Sequence, residues 1–202
     1  MSHYFTAEPP TGHQEKTIQF RQMGIDFTFV TDQSVFSRQR LDYGSACLLE
    51  AVERDDQPKT GRLLDLGCGY GALGIILKRL HPALAVVMCD INKRAVALTR
   101  RNADINQTRF VDVVESDGMR QVEGTFDLIV TNPPIRAGKE TVHRFFQEAS
   151  ERLNPAGSLF AVIRKQQGAP SALKRLQELF GEVSIVSRSA GYWVIKCVKS
   201  AA

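Results

Sequence analysis

Short apolar runs alternate with amphipathic segments from about Leu63 onward, and this pattern predicts a repeated strand–helix series. Arg62–Leu66 reads as a strand broken by Gly67-Cys68-Gly69-Tyr70-Gly71. Ala72–His81 places apolar residues at 73, 76, 77 and 80, a helical spacing, with Pro82 behind it. Ala85–Cys89 is the second strand, ending at Asp90, and Asn92 is placed to cap a helix reaching about Ile105. Phe110–Val114 and Phe126–Thr131 are the next two strands. A helix over Glu140–Leu153 stops at Asn154-Pro155-Ala156-Gly157, and Ser158–Ile163 is the fifth strand. A helix over about Ser171–Phe180 then leads to a closing hairpin, Glu182–Arg188 with Tyr192–Val198.

Strand–helix repeats closing in an antiparallel pair predict an α/β fold: a doubly wound, seven-stranded sheet, last strand antiparallel, helices on both faces. The first 60 residues differ. Thr17–Arg21 and Asp26–Val30 alternate strictly and join through Met23-Gly24, which predicts a hairpin with one apolar face. A helix over about Leu41–Glu53 follows. We expect a single domain over residues 1–202, with a hairpin-and-helix extension over 1–60 lying as a lid beside the ligand edge and a core over 61–202.

Composition narrows the setting. With 202 residues, the chain is long enough for one buried core. A net charge of +4 tilts it toward an anionic partner without requiring one. The four cysteines are scattered, and neither they nor the histidines lie at metal-ligand spacing, so no metal site is expected. No apolar run approaches the roughly 20 residues that span a bilayer. The amino terminus lacks the charged and apolar regions of a signal peptide, so a cytoplasmic location is the expectation.

Two constellations carry chemistry. Gly67-x-Gly69-x-x-Ala72 fits a nucleotide-binding turn at a helix amino terminus, and Asp90, at the next strand's end, is placed to accept ribose hydroxyls. Asp65 below that loop and Asp117 at a third strand end add carboxylates that would repel a pyrophosphate. Three acids around one crevice suit the sulfonium and ammonium of S-adenosyl-L-methionine better than a dinucleotide. The second constellation is Asn132-Pro133-Pro134-Ile135. Prolines cannot continue a sheet ladder, so the strand ends there with an amide at its tip. Such an amide suits a planar NH2 group like the exocyclic amine of a nucleobase.

Asp65-Leu66-Gly67-Cys68-Gly69-Tyr70-Gly71, Asp90, Ser116-Asp117-Gly118 and Asn132-Pro133-Pro134 together resemble the ordered motifs of class I S-adenosylmethionine-dependent methyltransferases, with their Rossmann-like fold. More narrowly, Val35-Phe36-Ser37, Leu41-Asp42-x-Gly44-Ser45 and Asn132–Lys139 resemble the small-domain methyltransferases related to the 16S rRNA guanine-N2 methyltransferase C. The resemblance implies that Asp65, Gly67, Cys68, Gly69 and Gly71 hold the methionine side of the cofactor. It places Asp90 with Ile91 at the ribose, Asp117 with Gly118 at the adenine, and Asn132 between cofactor and acceptor. Asn132, Pro133, Pro134 and Ile135 would form the catalytic tetrad, and RNA, guanine N2 of 16S rRNA in particular, would be the acceptor. Ile135 stands where many base methyltransferases carry an aromatic, so Phe36 is a candidate to stack on the acceptor base. Arg136, Lys139, His143 and Arg144 behind the tetrad, and Arg164-Lys165 at the end of the fifth strand, are candidates to hold RNA phosphates beside it, with a solvated helix face as the alternative. A protein glutamine or DNA adenine acceptor stays open, as do a NAD(P)-dependent oxidoreductase and a non-catalytic RNA-binding module.

Overall fold

In the computed structural model, residues 15–32 and 41–201 are described, so Phe36 lies outside the described residues. The chain runs β1 (Glu15–Gln22), β2 (Ile25–Asp32), α1 (Tyr43–Arg54), β3 (Gly61–Leu66), α2 (Ala72–Leu80), β4 (Leu84–Asp90) and α3 (Lys93–Ile105). It continues with β5 (Val111–Glu115), β6 (Phe126–Thr131), α4 (Lys139–Arg152), β7 (Leu153–Arg164), α5 (Ala169–Leu179), β8 (Glu182–Ser189) and β9 (Tyr192–Val198). Seven strands form one sheet in the order β5-β4-β3-β6-β7-β9-β8. Neighbours from β5 to β7 are parallel, and β9 runs antiparallel to both β7 and β8. The doubly wound sheet with an antiparallel last strand is thus as the periodicity predicts. Strand order reverses between β3 and β6, and in such sheets ligands bind at that switch point, outside the carboxyl ends of the strands.

Alternation along each strand divides the core into two layers. On β4, Val86 and Met88 face α1, α2 and α3, whereas Val87 and Cys89 face α4 and α5. On β7, Phe160 and Val162 enter the first layer, and Leu159, Ala161 and Ile163 the second. Helix α1 belongs to the first layer: Leu48, Leu49 and Val52 are buried there, packed mainly against β7 and β9. It is therefore part of the sheet's covering, and only its amino end approaches the ligand edge.

The β1–β2 hairpin also docks rather than hangs free. Phe20, Phe27 and Phe29 stack with one another, and Tyr70 meets Phe29 edge-on. The outer edge of β2 is completed by two asparagines four residues apart, Asn102 on α3 and Asn106 at the cap of its carboxyl end. Asn102 accepts from Val30 N at 2.7 Å and donates to Val30 O at 2.9 Å and Tyr70 O at 2.8 Å. Asn106 repeats the exchange with Thr28, at 3.0 and 2.7 Å. These amides supply hydrogen bonds that a neighbouring strand would otherwise provide. Among the described residues, no helix is long and apolar enough to cross a membrane.

Candidate functional site

The turn after β3 has to reverse tightly, and Gly67, Gly69 and Gly71 take φ of 75°, 60° and 88° there. That left-handed backbone is strained for any residue with a Cβ. At Gly71, which caps α2, a Cβ would also lie 2.8 Å from Thr99 Cγ2. The loop is tied to β4 by Gly67 N and Cys68 N, both donating to Cys89 O at 2.9 Å. Gly69 N donates to Asp90 Oδ2 at 2.9 Å, and Thr99 Oγ1 donates to Gly69 O at 2.9 Å. Below the loop, Asp65 Oδ2 accepts from Gly74 N in the first turn of α2, again at 2.9 Å. A carboxylate thus takes up one of the α2 first-turn amides, where a phosphate would otherwise be favoured.

Asp65 is 1% exposed, and its Oδ1 is buried with no hydrogen-bond partner. Burial, countered in part by Gly74 N and reinforced by Asp90, pushes its carboxyl up to about 7. Burial also raises Asp90, against hydrogen bonds from Asn92, Gly69 and Ile91 amides. Asp117 behaves oppositely. The Arg144 guanidinium that bonds it holds its carboxyl below the ordinary value, and Arg120 sits 3.1 Å away. The three expected acids do line one cavity, and one of them, Asp117, is paired there with Arg144 and Arg120.

The acceptor side is built at the end of β6. Thr131 Oγ1 donates to Leu66 O at 2.8 Å, fastening the ends of β6 and β3 together. Asn132 follows, and its amide nitrogen donates to Asp42 Oδ1 and Ser45 Oγ, each at 3.1 Å. An ionised carboxylate only accepts, so the Asp42 contact fixes which end of the amide carries nitrogen. The Asn132 oxygen is turned the other way. The Pro133 carbonyl accepts from Ile135 N at 2.8 Å, which leaves its second lone pair. Residues 135–137 form one 3-10 turn before α4.

A cavity of about 730 Å3 joins the two halves, within the size range of small-molecule sites. Asp65, Gly67, Cys68, Gly69, Asp90, Ile91, Asp117 and Gly118 line it, as do Asn132, Pro133, Pro134, Ile135 and Arg136. Of the expected residues, Gly71 shapes the loop without lining the cavity, and Lys139 lies outside it, in a neighbouring cleft. Arg144, a candidate for an RNA phosphate, also lines the cavity, and there it pairs with Asp117. Asp42, Ser45 and Tyr192 line the cavity without having been singled out for a role by the sequence. Asp42 and Ser45 belong to the Leu41-Asp42-x-Gly44-Ser45 segment, whose resemblance to small-domain methyltransferases was their signal. Tyr192 carried none.

Residues 26–196 match the methyltransferase small domain family. The chain belongs to that family. It is an S-adenosylmethionine-dependent methyltransferase of the class I fold. It is 42% identical over 199 residues to the uncharacterized Bacillus subtilis protein YbxB, covering 98% of each chain. It is 34% identical over 183 residues to the ribosomal RNA small subunit methyltransferase C of Pasteurella multocida, covering 89% of this chain and 53% of that protein. Among solved structures, the T. thermophilus 16S rRNA N2 methyltransferase RsmC, in complex with AdoMet and guanosine, superposes with a TM-score of 0.80 at 28% identity. That match covers 95% of this chain and 52% of that one. The chain thus spans about half the length of the methyltransferase C relatives it matches.

The donor set of this methyltransferase suits the cofactor. The unpartnered Asp65 oxygen fits an ammonium, the Asp90 carboxylate fits a diol, and the carboxylate at α2 disfavours a pyrophosphate.

Proposed function

We propose that this methyltransferase transfers a methyl group to an exocyclic amine of RNA, with guanine N2 of 16S ribosomal RNA as the acceptor. The observation that carries the reading is the Asn132 amide, whose nitrogen is held by Asp42 and Ser45 so that its oxygen remains for an acceptor NH2. The named relatives support it: the Pasteurella protein is a small-subunit rRNA methyltransferase, and the T. thermophilus enzyme is an N2 methyltransferase of 16S rRNA solved with guanosine.

In this reading Asp65, Cys68 and the glycine turn hold the methionine end of the cofactor. Asp90 with Ile91 holds the ribose, and Asp117 with Gly118 receives the adenine. When bound, S-adenosyl-L-methionine supplies an electrophilic methyl group on a sulfonium. The protein's part concerns the acceptor, whose exocyclic nitrogen is a weak nucleophile because its lone pair is delocalised into the ring. The Asn132 oxygen and the free lone pair of the Pro133 carbonyl accept its two hydrogens, which draws the nitrogen toward tetrahedral geometry. Pro134 and Ile135 wall the acceptor position, and Arg136 and Lys139 stand where RNA phosphates approach. The amine becomes acidic only as it is methylated, so no strong general base is required. Positioning of this kind contributes on the order of 7–11 kcal/mol, together with dipoles already aligned before the reaction.

The test is transfer of tritiated methyl from S-adenosylmethionine to 16S rRNA, a DNA duplex and a glutamine-containing protein fraction, with mass-spectrometric mapping of the product. Label in RNA as N2-methylguanine is the expected result. Label in DNA or protein alone contradicts it.

A further inference from the structure

Beside the cavity, α4 and α5 are separated by an open cleft of about 560 Å3. Lys139, His143 and Gln147 recur every four residues along α4, so they form a single stripe facing the cleft. Lys174 and Arg175 face them from α5. Arg175 bridges the walls by donating to Gln147 Oε1 at 2.8 Å, and it neutralises Glu178, the one acid in the lining, at 3.1 Å. Among the described residues, the Lys139 and Lys174 ammoniums enter no ion pair. Both helices present their amino ends, which carry partial positive charge, at the ligand edge of the sheet. Arg144 lines the cleft on one side and the cavity on the other, so the two are neighbours across one side chain.

We propose that the α4–α5 cleft is a phosphodiester-binding track that holds the RNA strand next to the nucleotide entering the cavity. The inference rests on RNA being the acceptor and adds α5 as a second wall of the RNA site. Two unpaired ammoniums on opposite walls of an open cleft of about 560 Å3 fit a polyanion with repeated charges. A single small anion would engage only part of it. His143 reports the same local field: burial, then Lys139 and Arg175, hold its pKa below the ordinary histidine value. An RNA phosphate between those groups relieves their mutual repulsion.

The test compares wild type with the double variant Lys139→Gln, Lys174→Gln. Binding to a labelled 20-nucleotide single-stranded RNA is measured by anisotropy across a salt series, and S-adenosylmethionine binding by calorimetry. Removing two phosphate contacts is expected to make the slope of log K against log salt shallower by about 1.4, at about 0.7 per contact in single strands. Affinity at moderate salt should fall roughly tenfold while cofactor affinity holds. Equal slope and affinity in wild type and variant overturn the track, whatever the enzyme methylates. Transfer to 16S rRNA by the wild type reports separately on the acceptor, so the two readings fail independently.

Discussion

The Asn132 amide nitrogen lies 3.1 Å from Asp42 Oδ1, joining a strand end to the cap of a helix 90 residues earlier. Because a carboxylate cannot donate, this contact orients the amide as well as holding it. Asp42 also caps α1 by accepting from Ser45 N at 3.0 Å.

Asp42→Ala removes both duties, because one oxygen, Oδ1, accepts from Ser45 N and from the Asn132 amide. Losing the cap should cost about 1 kcal/mol of stability. The Asn132 amide keeps only Ser45 Oγ, a hydroxyl that can donate as well as accept, so its orientation is no longer fixed. We expect kcat to fall by about 10–100-fold, the consequence of a misoriented positioning group, with KM and cofactor affinity within about threefold. Steady-state kinetics, calorimetry and urea unfolding check this. Lost stability with kcat unchanged would mean that Asp42 is only a cap.

Asp65 gives the pH dependence. Its folded-state pKa, about 7, is raised above the ordinary 3.8, so its contribution to stability is fully present below pH 3.8 and lost as pH rises through 7. Without ligand, ionising it costs on the order of 4 kcal/mol by linkage. A cationic ligand at its unpartnered oxygen favours the ionised form. Binding of S-adenosylmethionine should therefore strengthen by up to about tenfold per pH unit from pH 5.5 to 7 and level off above. Asp65→Asn should bind weakly with a flattened profile over that range. Calorimetry at four pH values decides, and parallel profiles for wild type and variant would contradict the assignment.

Asn102 makes a prediction about stability alone. Replacing it with alanine removes its bonds to Val30 N, Val30 O and Tyr70 O. Buried groups stripped of a hydrogen bond cost about 1–3 kcal/mol each, partly relieved by relaxation. Urea unfolding should show a loss of about 2–4 kcal/mol. A change below about 0.5 kcal/mol would mean that the hairpin is not secured by that amide.

The strand–helix order, the glycine turn and the Asn-Pro-Pro strand end were legible in the sequence because each is a local pattern. Period-two and period-3.6 alternation report directly which face is buried, and a proline pair ends a ladder wherever it occurs. Long-range pairings were not legible. Neutralisation of Asp117 by Arg144 spans 27 residues and the Asn132–Asp42 contact spans 90, and no periodicity encodes either. The apolar face of α1 announced burial but not its partner, so the helix expected in a lid covers β7 and β9 instead. At β7 the local signals misled. Asn154-Pro155-Ala156-Gly157 reads as a turn, yet the strand begins at Leu153 and passes through it. Asn154 donates to Asp127 Oδ1 at 2.7 Å, and Ala156 N and Gly157 O both pair with Lys199. Those tertiary bonds outweigh the turn propensity, and Ala156 takes φ of 61° as a result.

Asn132→Ala is the most direct measurement, with S-adenosylmethionine affinity read by calorimetry and tritiated methyl transfer to 16S rRNA read on the same preparation. Cofactor affinity is expected within about threefold of wild type and transfer reduced by about 100–1,000-fold, the scale seen when a preorganised hydrogen-bonding group is removed. Comparable turnover by the variant would contradict it.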